Sequence, residues 1–298
     1  MQIPLVTIAI PTYNRGQGYL KEAVESSLKQ TYKNLEILIS DNCSTDNTPE
    51  VVGSYKDSRI RYFRQKKNLG QRGNMNFLLQ QAKGDYFLML HDDDCIDSDF
   101  IETCIEAANY KKGTGLILTG SRVIDEEGHV IREKENHAEN MEIDDFILYW
   151  YKKKVHMFLS CSLFGTEPLR QVGGFEEKYN RYDDVAAEFK CAAFYGRIDV
   201  KEINASFREH PGSGTSNSDL ISWCKSALAL LDLACELAPS KKGLLINTGL
   251  RTSADRVYRY ASCEETLKKR LKAYWTVYKS FEFKQIPTKH NISQLLHH

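Results

Sequence analysis

The stretch FLMLHDDDCID, residues 87–97, sets three consecutive aspartates directly behind an unbroken apolar run. Asp92, Asp93 and Asp94 must repel one another, and a solvated loop is the simplest account of them. The chain upstream argues otherwise. VTIAI (6–10) is a compact apolar run stopped by Pro11, as suits a buried strand. YLKEAVESSLKQ follows, with Leu20, Ala23, Val24 and Leu28 on one helical face. LEILIS (35–40) ends at Asp41, and STDNTPEVVGSY offers Thr48 as an N-cap with Pro49 at the first helical position. IRYF (60–63), GNMNFLLQQA (73–82) and DYFLML (85–90) then read as strand, helix and strand.

Alternation of this kind implies crossover units, and so an α/β fold with a mostly parallel sheet flanked by helices. In such sheets ligands bind beyond the carboxyl ends of the strands. Asn14, Asp41, Asn68 and the aspartate run all follow strands, so they converge on one edge. Three carboxylates there make a hard-oxygen site for Mg²⁺ or Mn²⁺, of the kind that shares its ion with substrate phosphates. A bound cation would also relieve their mutual repulsion.

After residue 115 the pattern changes. GLILTGSRVIDEEGHVIRE reads as a strand and a hairpin turning at Glu127-Gly128. IDDFILYWYKK (143–153) reads as a helix, MFLSCSLFG (157–165) as a strand, and DDVAAEFKCAAFYG (183–196) as a helix with two carboxylates at its mouth. From about Asp219 the chain is mainly helical. The expected division is a nucleotide-binding catalytic domain over 1–217 and a helical C-terminal region over 218–298.

The 298 residues carry 40 Lys/Arg and 40 Asp/Glu, so no global field recruits nucleic acid. The global balance hides a local asymmetry: residues 216–298 hold thirteen Lys/Arg against seven Asp/Glu, an excess of six. That tail is also rich in aromatics (Trp223, Tyr258, Tyr260, Tyr274, Trp275, Tyr278), and its pattern fits a helical cap, a self-association surface or a peripheral membrane face. The eight cysteines include no C-x-x-C pair and read as reduced core thiols. No leader pattern and no bilayer-length apolar segment stand out, so a cytoplasmic protein is expected, at the inner face of the membrane if the basic tail meets lipid.

VTIAIPTYNR, ILISDNCSTDNT, NLGQRGNMN, LMLHDDD, GGFEE, RYDDVAAEFK and REHPGSGTS stand in the order typical of family 2 glycosyltransferases. The chain resembles that family from residue 4 to about 217. The resemblance implies a GT-A fold and an inverting enzyme that moves a sugar from a UDP-sugar to a hydroxyl of a glycan or lipid-linked acceptor by metal-assisted direct displacement. It implies that Thr12, Tyr13 and Asn14 line the nucleotide pocket, that Asp41 meets the uracil base, and that Asn68, Gly70 and Arg72 belong to a loop closing over base and phosphates. Asp92 would then contact the ribose, Asp93 would be the main metal ligand with Asp94 and His210 beside it, and Asp184 would be the catalytic base. Three departures stand out: His91 occupies a position where the family usually has an aspartate, Asp183-Asp184 replaces Glu-Asp, and Lys190 stands where the family often has an arginine. For Asp41 the alternative to a functional role is a turn cap with Ser44, and without the resemblance Asp183-Asp184 reads as acids favoured by a helix dipole. A nucleotidyltransferase, or a scaffold that binds nucleotide sugar without turnover, are the competing functions. PTYNRGQGY supplies Arg15 and two glycines but lacks the phosphate cradle that the former needs.

Overall fold

The computed structural model describes residues 3–210, 219–282 and 284–297. They fall into two compact units: Met1–Asn140, His156–Glu176 and Ala187–His210 in the first, and Met141–Val155, Glu177–Ala186 and Pro211–His298 in the second. The chain runs β1 (Val6–Thr12), α1 (Leu20–Leu28), β2 (Leu35–Asp41), α2 (Thr48–Gly53), β3 (Ile60–Arg64), α3 (Gly70–Gln81), β4 (Tyr86–Met89), β5 (Cys95–Ile96), α4 (Phe100–Ala107), β6 (Leu116–Ile124) and β7 (Val130–Lys134). It continues through α5 (Ile143–Tyr151), β8 (Ser162–Gly165), α6 (Thr166–Gln171), α7 (Asp183–Tyr195) and β9 (Arg197–Arg208). The helices α8 (Leu220–Leu237), α9 (Lys242–Ser262), α10 (Leu267–Ser280) and α11 (Lys289–His297) complete it.

All the strands join one sheet in the first unit, in the order β3-β2-β1-β4-β8-β6-β9-β5, with β7 paired to β6. The parallel sheet expected from the alternation is found over β3-β2-β1-β4. Beyond β4 the sheet is mixed. β8 runs antiparallel to both of its neighbours, β5 and β7 are antiparallel to theirs, and β9 is parallel to β6. β1 and β2 are buried along their whole length, which is why they read as continuous apolar runs rather than alternating ones.

Three local readings need correction. β1 does not stop at Pro11 but runs to Thr12. The Ala9 carbonyl accepts from Leu90 N–H, so residue 11 faces the same way, past the end of β4, where no ladder bond is missed. Thr48 is the first residue of α2 rather than its cap, and its hydroxyl accepts from the Arg15 N–H at 3.0 Å. Of 157–165 only Ser162–Gly165 is strand, because Leu159–Cys161 forms a 3₁₀ turn.

In the second unit Trp223, Leu230, Leu231, Leu245, Val257, Tyr258 and Val277 are buried on α8, α9 and α10. Gly249 in α9 has a packing reason, since a Cβ there would stand 2.5 Å from Leu231 Cδ1 and 3.3 Å from the Tyr151 ring. Among the described residues, no helix is long and apolar enough to cross a membrane.

Candidate active site

The carboxyl ends of β1 and β2 lie side by side, with Thr12 in register with Asp41. Asp41 is fully buried. It accepts from the Ser44 N–H at 2.7 Å and from the Tyr62 hydroxyl at 2.7 Å, and Arg64 Nε stands 3.8 Å away. Burial and then this carboxylate push the Tyr62 phenol well above its usual pKa, which keeps it a donor. Asn14 adopts a left-handed backbone (φ 54), and its side chain accepts from the Thr45 N–H at 2.8 Å. Its own N–H donates to Ser44 Oγ. Tyr13 beside it is 44% exposed, open to a ligand. A cleft of about 610 Å³ is lined by Asn14, Arg15, Gln17, Gly18, Asp46 and Asn47.

The loop before α3 is tied to the end of β2 by Asn42, which is buried. Asn42 accepts from the Leu69 N–H at 2.7 Å and donates to Asn68 Oδ1 at 3.0 Å and to the Gly70 carbonyl at 3.2 Å. Asn68 in turn accepts from the Gly70 N–H at 2.8 Å. Gly70 opens the helix at φ +74, a conformation that only glycine adopts without strain. Arg72 lies in the first turn and is half-buried. Asn42 stood inside a quoted motif yet drew no role from sequence.

The aspartates diverge in environment. Asp92 is buried, with Arg15 Nε 3.7 Å from Oδ1. Burial, and then the Asp93 charge, push its carboxyl up to about 7, against the pull of the Thr12 hydroxyl, Arg15 and the Tyr13 backbone. Asp94 is buried and accepts from the Arg208 N–H at 2.9 Å; burial and the Asp93 charge raise its pKa well above the usual carboxylate value. Asp93 is more accessible, and His210 Nε2 lies 3.1 Å from its Oδ2. Residues 211–216 of the REHPGSGTS motif lie outside the described residues.

One grouping was not expected. His91, Asp93 and Asp94 bring one ligand atom each to within 4.8 Å of one another. His91 Nε2 is buried and has no hydrogen-bond partner among the described residues. A buried imidazole nitrogen without a partner, on a residue grouped with two carboxylates, fits a divalent cation. His91 had looked like a loss from the motif, because its identity departs from the usual aspartate. Arg208 opens the REHPGSGTS motif yet drew no role from sequence, and it fastens this loop. Its Nε donates to the Asp93 carbonyl, its Nη1 to the carbonyls of Asp125 and Glu126, and its Nη2 to Glu22, and the guanidinium lies 4.2 Å over the Tyr19 ring.

Asp184 belongs to the second unit, at the start of α7. It accepts from the Val185 N–H at 2.7 Å, and Asp183 accepts from the Asp184 N–H at 3.0 Å. Burial, and then the adjoining Asp183 charge, push the Asp184 carboxyl up to about 7; Arg256 on α9 pulls the other way. Arg256 is held by rings, 5.5 Å from the centroids of both Trp150 and Tyr182. Tyr182 packs edge-on against Trp223. Sequence alone assigned nothing to Arg256, which lies 72 residues downstream in an unrecognised region.

A family model, Glycosyl transferase family 2, matches residues 7–173. An uncharacterized glycosyltransferase of Rickettsia typhi is 34% identical over 222 residues, covering 72% of this chain and 67% of its own length. The GalNAc(5)-diNAcBac-PP-undecaprenol β-1,3-glucosyltransferase of Campylobacter jejuni is 37% identical over 134 residues, 44% of this chain and 42% of that protein. Among solved structures, S. aureus TarS 1–349 in complex with UDP-GlcNAc superposes with a TM-score of 0.60 at 17% identity, covering 94% of this chain and 92% of that one. The mannosyltransferase PcManGT of Pyrobaculum calidifontis, in complex with GDP-Man and Mn²⁺, gives 0.54 at 17% identity over 99% of this chain and 86% of that one. The two structural likenesses speak for the GT-A fold, and the family match speaks for the chemistry: this chain belongs to glycosyl transferase family 2 and is a glycosyltransferase.

Proposed function

We propose that the enzyme moves a sugar from a UDP-sugar to a hydroxyl of a glycan or lipid-linked acceptor, with inversion at the anomeric carbon. The observation that carries the donor half is the grouping of His91, Asp93 and Asp94 at the end of β4, beside the Thr12 and Asp41 strand ends. Their donor set of one imidazole and two carboxylates suits Mn²⁺ or Mg²⁺, and a cation held there supplies positive charge against the leaving diphosphate. The complexes of TarS with UDP-GlcNAc and of the mannosyltransferase with GDP-Man and Mn²⁺ support a nucleotide-sugar donor, the first of them favouring UDP. The C. jejuni relative, named for an undecaprenol-linked acceptor, supports a glycan or lipid-linked acceptor.

The chain's own residues would then divide the work. Asp41 and the Asn42–Asn68 pair frame the nucleoside, Tyr13 and Asn14 line its pocket, and Arg15 and Arg72 offer positive charge to phosphate. His210 orients Asp93. Asp184 takes the acceptor proton as the hydroxyl oxygen forms its bond to the anomeric carbon and the bond to the diphosphate oxygen breaks on the opposite face. A carboxyl raised to about 7 is near the operating pH, where a general base is most effective. One such base suffices because the leaving group departs as an anion.

Titrating UDP calorimetrically with Mn²⁺, alongside turnover of candidate UDP-sugars, tests the reading. Asp93→Asn should lose Mn²⁺-dependent UDP affinity, since an amide lacks the charge that holds the ion. Asp184→Asn should bind UDP like the parent and lose about 10²–10⁴-fold in transfer. Asp183→Asn should lose much less. UDP binding indifferent to both metal and Asp93→Asn would sink the donor assignment, and an inactive Asp183→Asn with a working Asp184→Asn would move the base by one residue.

A further inference from the structure

We propose that the outer face of α10 is a docking surface for an anionic lipid bilayer. This helix reads LKKRLKAYWTVYKS and carries Lys268, Lys269, Arg270, Lys272 and Lys279 with no acidic residue. Its inner face consists of Arg270, Ala273, Tyr274 and Val277, all buried. Three large apolar side chains lie elsewhere: Leu267, Leu271 and Trp275 are 47%, 52% and 60% exposed. Four-residue spacing sets them in one row along the helix, and the Tyr278 ring lies 6.1 Å from that of Trp275. At 100° per residue, the exposed Lys268, Lys272 and Lys279 flank that row on one side.

A helix on a globular surface ordinarily turns polar residues outward. α10 turns two leucines and a tryptophan outward, although its packing is already satisfied on the other side. The charges decide what covers them. A second copy of the chain seated on this face through a two-fold contact would bring the lysine flank against itself. Anionic headgroups meet the same flank with opposite sign, the tryptophan ring suits headgroup depth, and lysine stems can lie along the apolar row with their heads in water. The excess of six positive charges over residues 216–298 acts in the same direction. The proposal concerns a surface, and it stands whether or not the sugar-transfer reading does.

Flotation of the full chain with vesicles tests it, using phosphatidylglycerol–phosphatidylcholine mixtures, phosphatidylcholine alone, and salt from about 0.05 M to about 0.5 M. The chain should float with the anionic vesicles only, and less so as salt rises. Leu271→Glu and Trp275→Glu, made singly at exposed positions, should each abolish flotation at every salt concentration. Lys268→Gln and Lys272→Gln should each lower low-salt partitioning about fivefold. No flotation at low salt, or flotation that survives both glutamate variants, overturns the proposal. So does a concentration-dependent dimer in sedimentation velocity that Trp275→Glu dissolves while vesicles are ignored, which would assign the face to a second copy.

Discussion

At Asp184, burial and the neighbouring Asp183 charge raise the carboxyl to about 7, and the Arg256 guanidinium opposes them. A base works only when deprotonated, so a raised pKa means that transfer is full above about 7 and declines as pH falls through it. Well below, kcat/KM should drop tenfold per pH unit. Arg256→Met removes the opposing charge, so the acid limb of the kcat/KM profile should move to higher pH. A limb that stays in place would take Arg256 out of the site's electrostatics. His91 makes the other single-residue forecast. His91→Ala deletes a nitrogen that is buried without a partner, and Mn²⁺-dependent UDP affinity should fall about tenfold or more, a loss seen even for residues one shell out from a metal. His91→Asp should restore most of it, because a carboxylate is also a ligand for these cations. Unchanged metal affinity in His91→Ala would leave the cation to the aspartates and His210.

The loop before α3 works as one element because Asn42 carries three of its bonds. Asn42→Ala leaves the Leu69 N–H without its acceptor, a loss of about 1–3 kcal/mol where such a group is buried. UDP affinity should fall while the turnover of bound donor stays close to parental, read as a KM rise without a kcat change. Sequence made this element half legible. The strands β1 to β4 declared themselves as apolar runs and the helices between them as amphipathic stretches, while Pro11 and Thr48 misplaced the end of β1 and the cap of α2. β9 stayed hidden although it is the longest strand. Its apolar residues alternate as Ile198 and Val200, then as Ile203, Ala205 and Phe207, and the change of phase erases the period of two. The register against β6 shifts at that same place, between Leu118 and Gly120 and again before Arg122. The bonds from Arg208 to the acidic loop span more than a hundred residues, so no local pattern can announce them.

For the whole molecule, ligand linkage gives a direct readout. UDP with Mn²⁺ at about a hundredfold over its Kd should add about 2.7 kcal/mol to the stability of the native chain, and chelation of the metal should remove it. Calorimetric melts with and without chelator measure this, and a transition indifferent to both would mean that native chain and donor do not meet. The sheet order has a further consequence, in time rather than space. β5, next to the acidic loop, pairs with β9, and Asp94 is fastened by Arg208, 114 residues later. A ribosome adding about 5–20 residues per second needs on the order of ten seconds to cover that interval. The β3-β2-β1-β4 ladder uses only residues made before it begins. A nascent chain can therefore hold its nucleotide edge while the aspartates still lack the strand that aims them, and the cation site is among the last features of the sheet to be born.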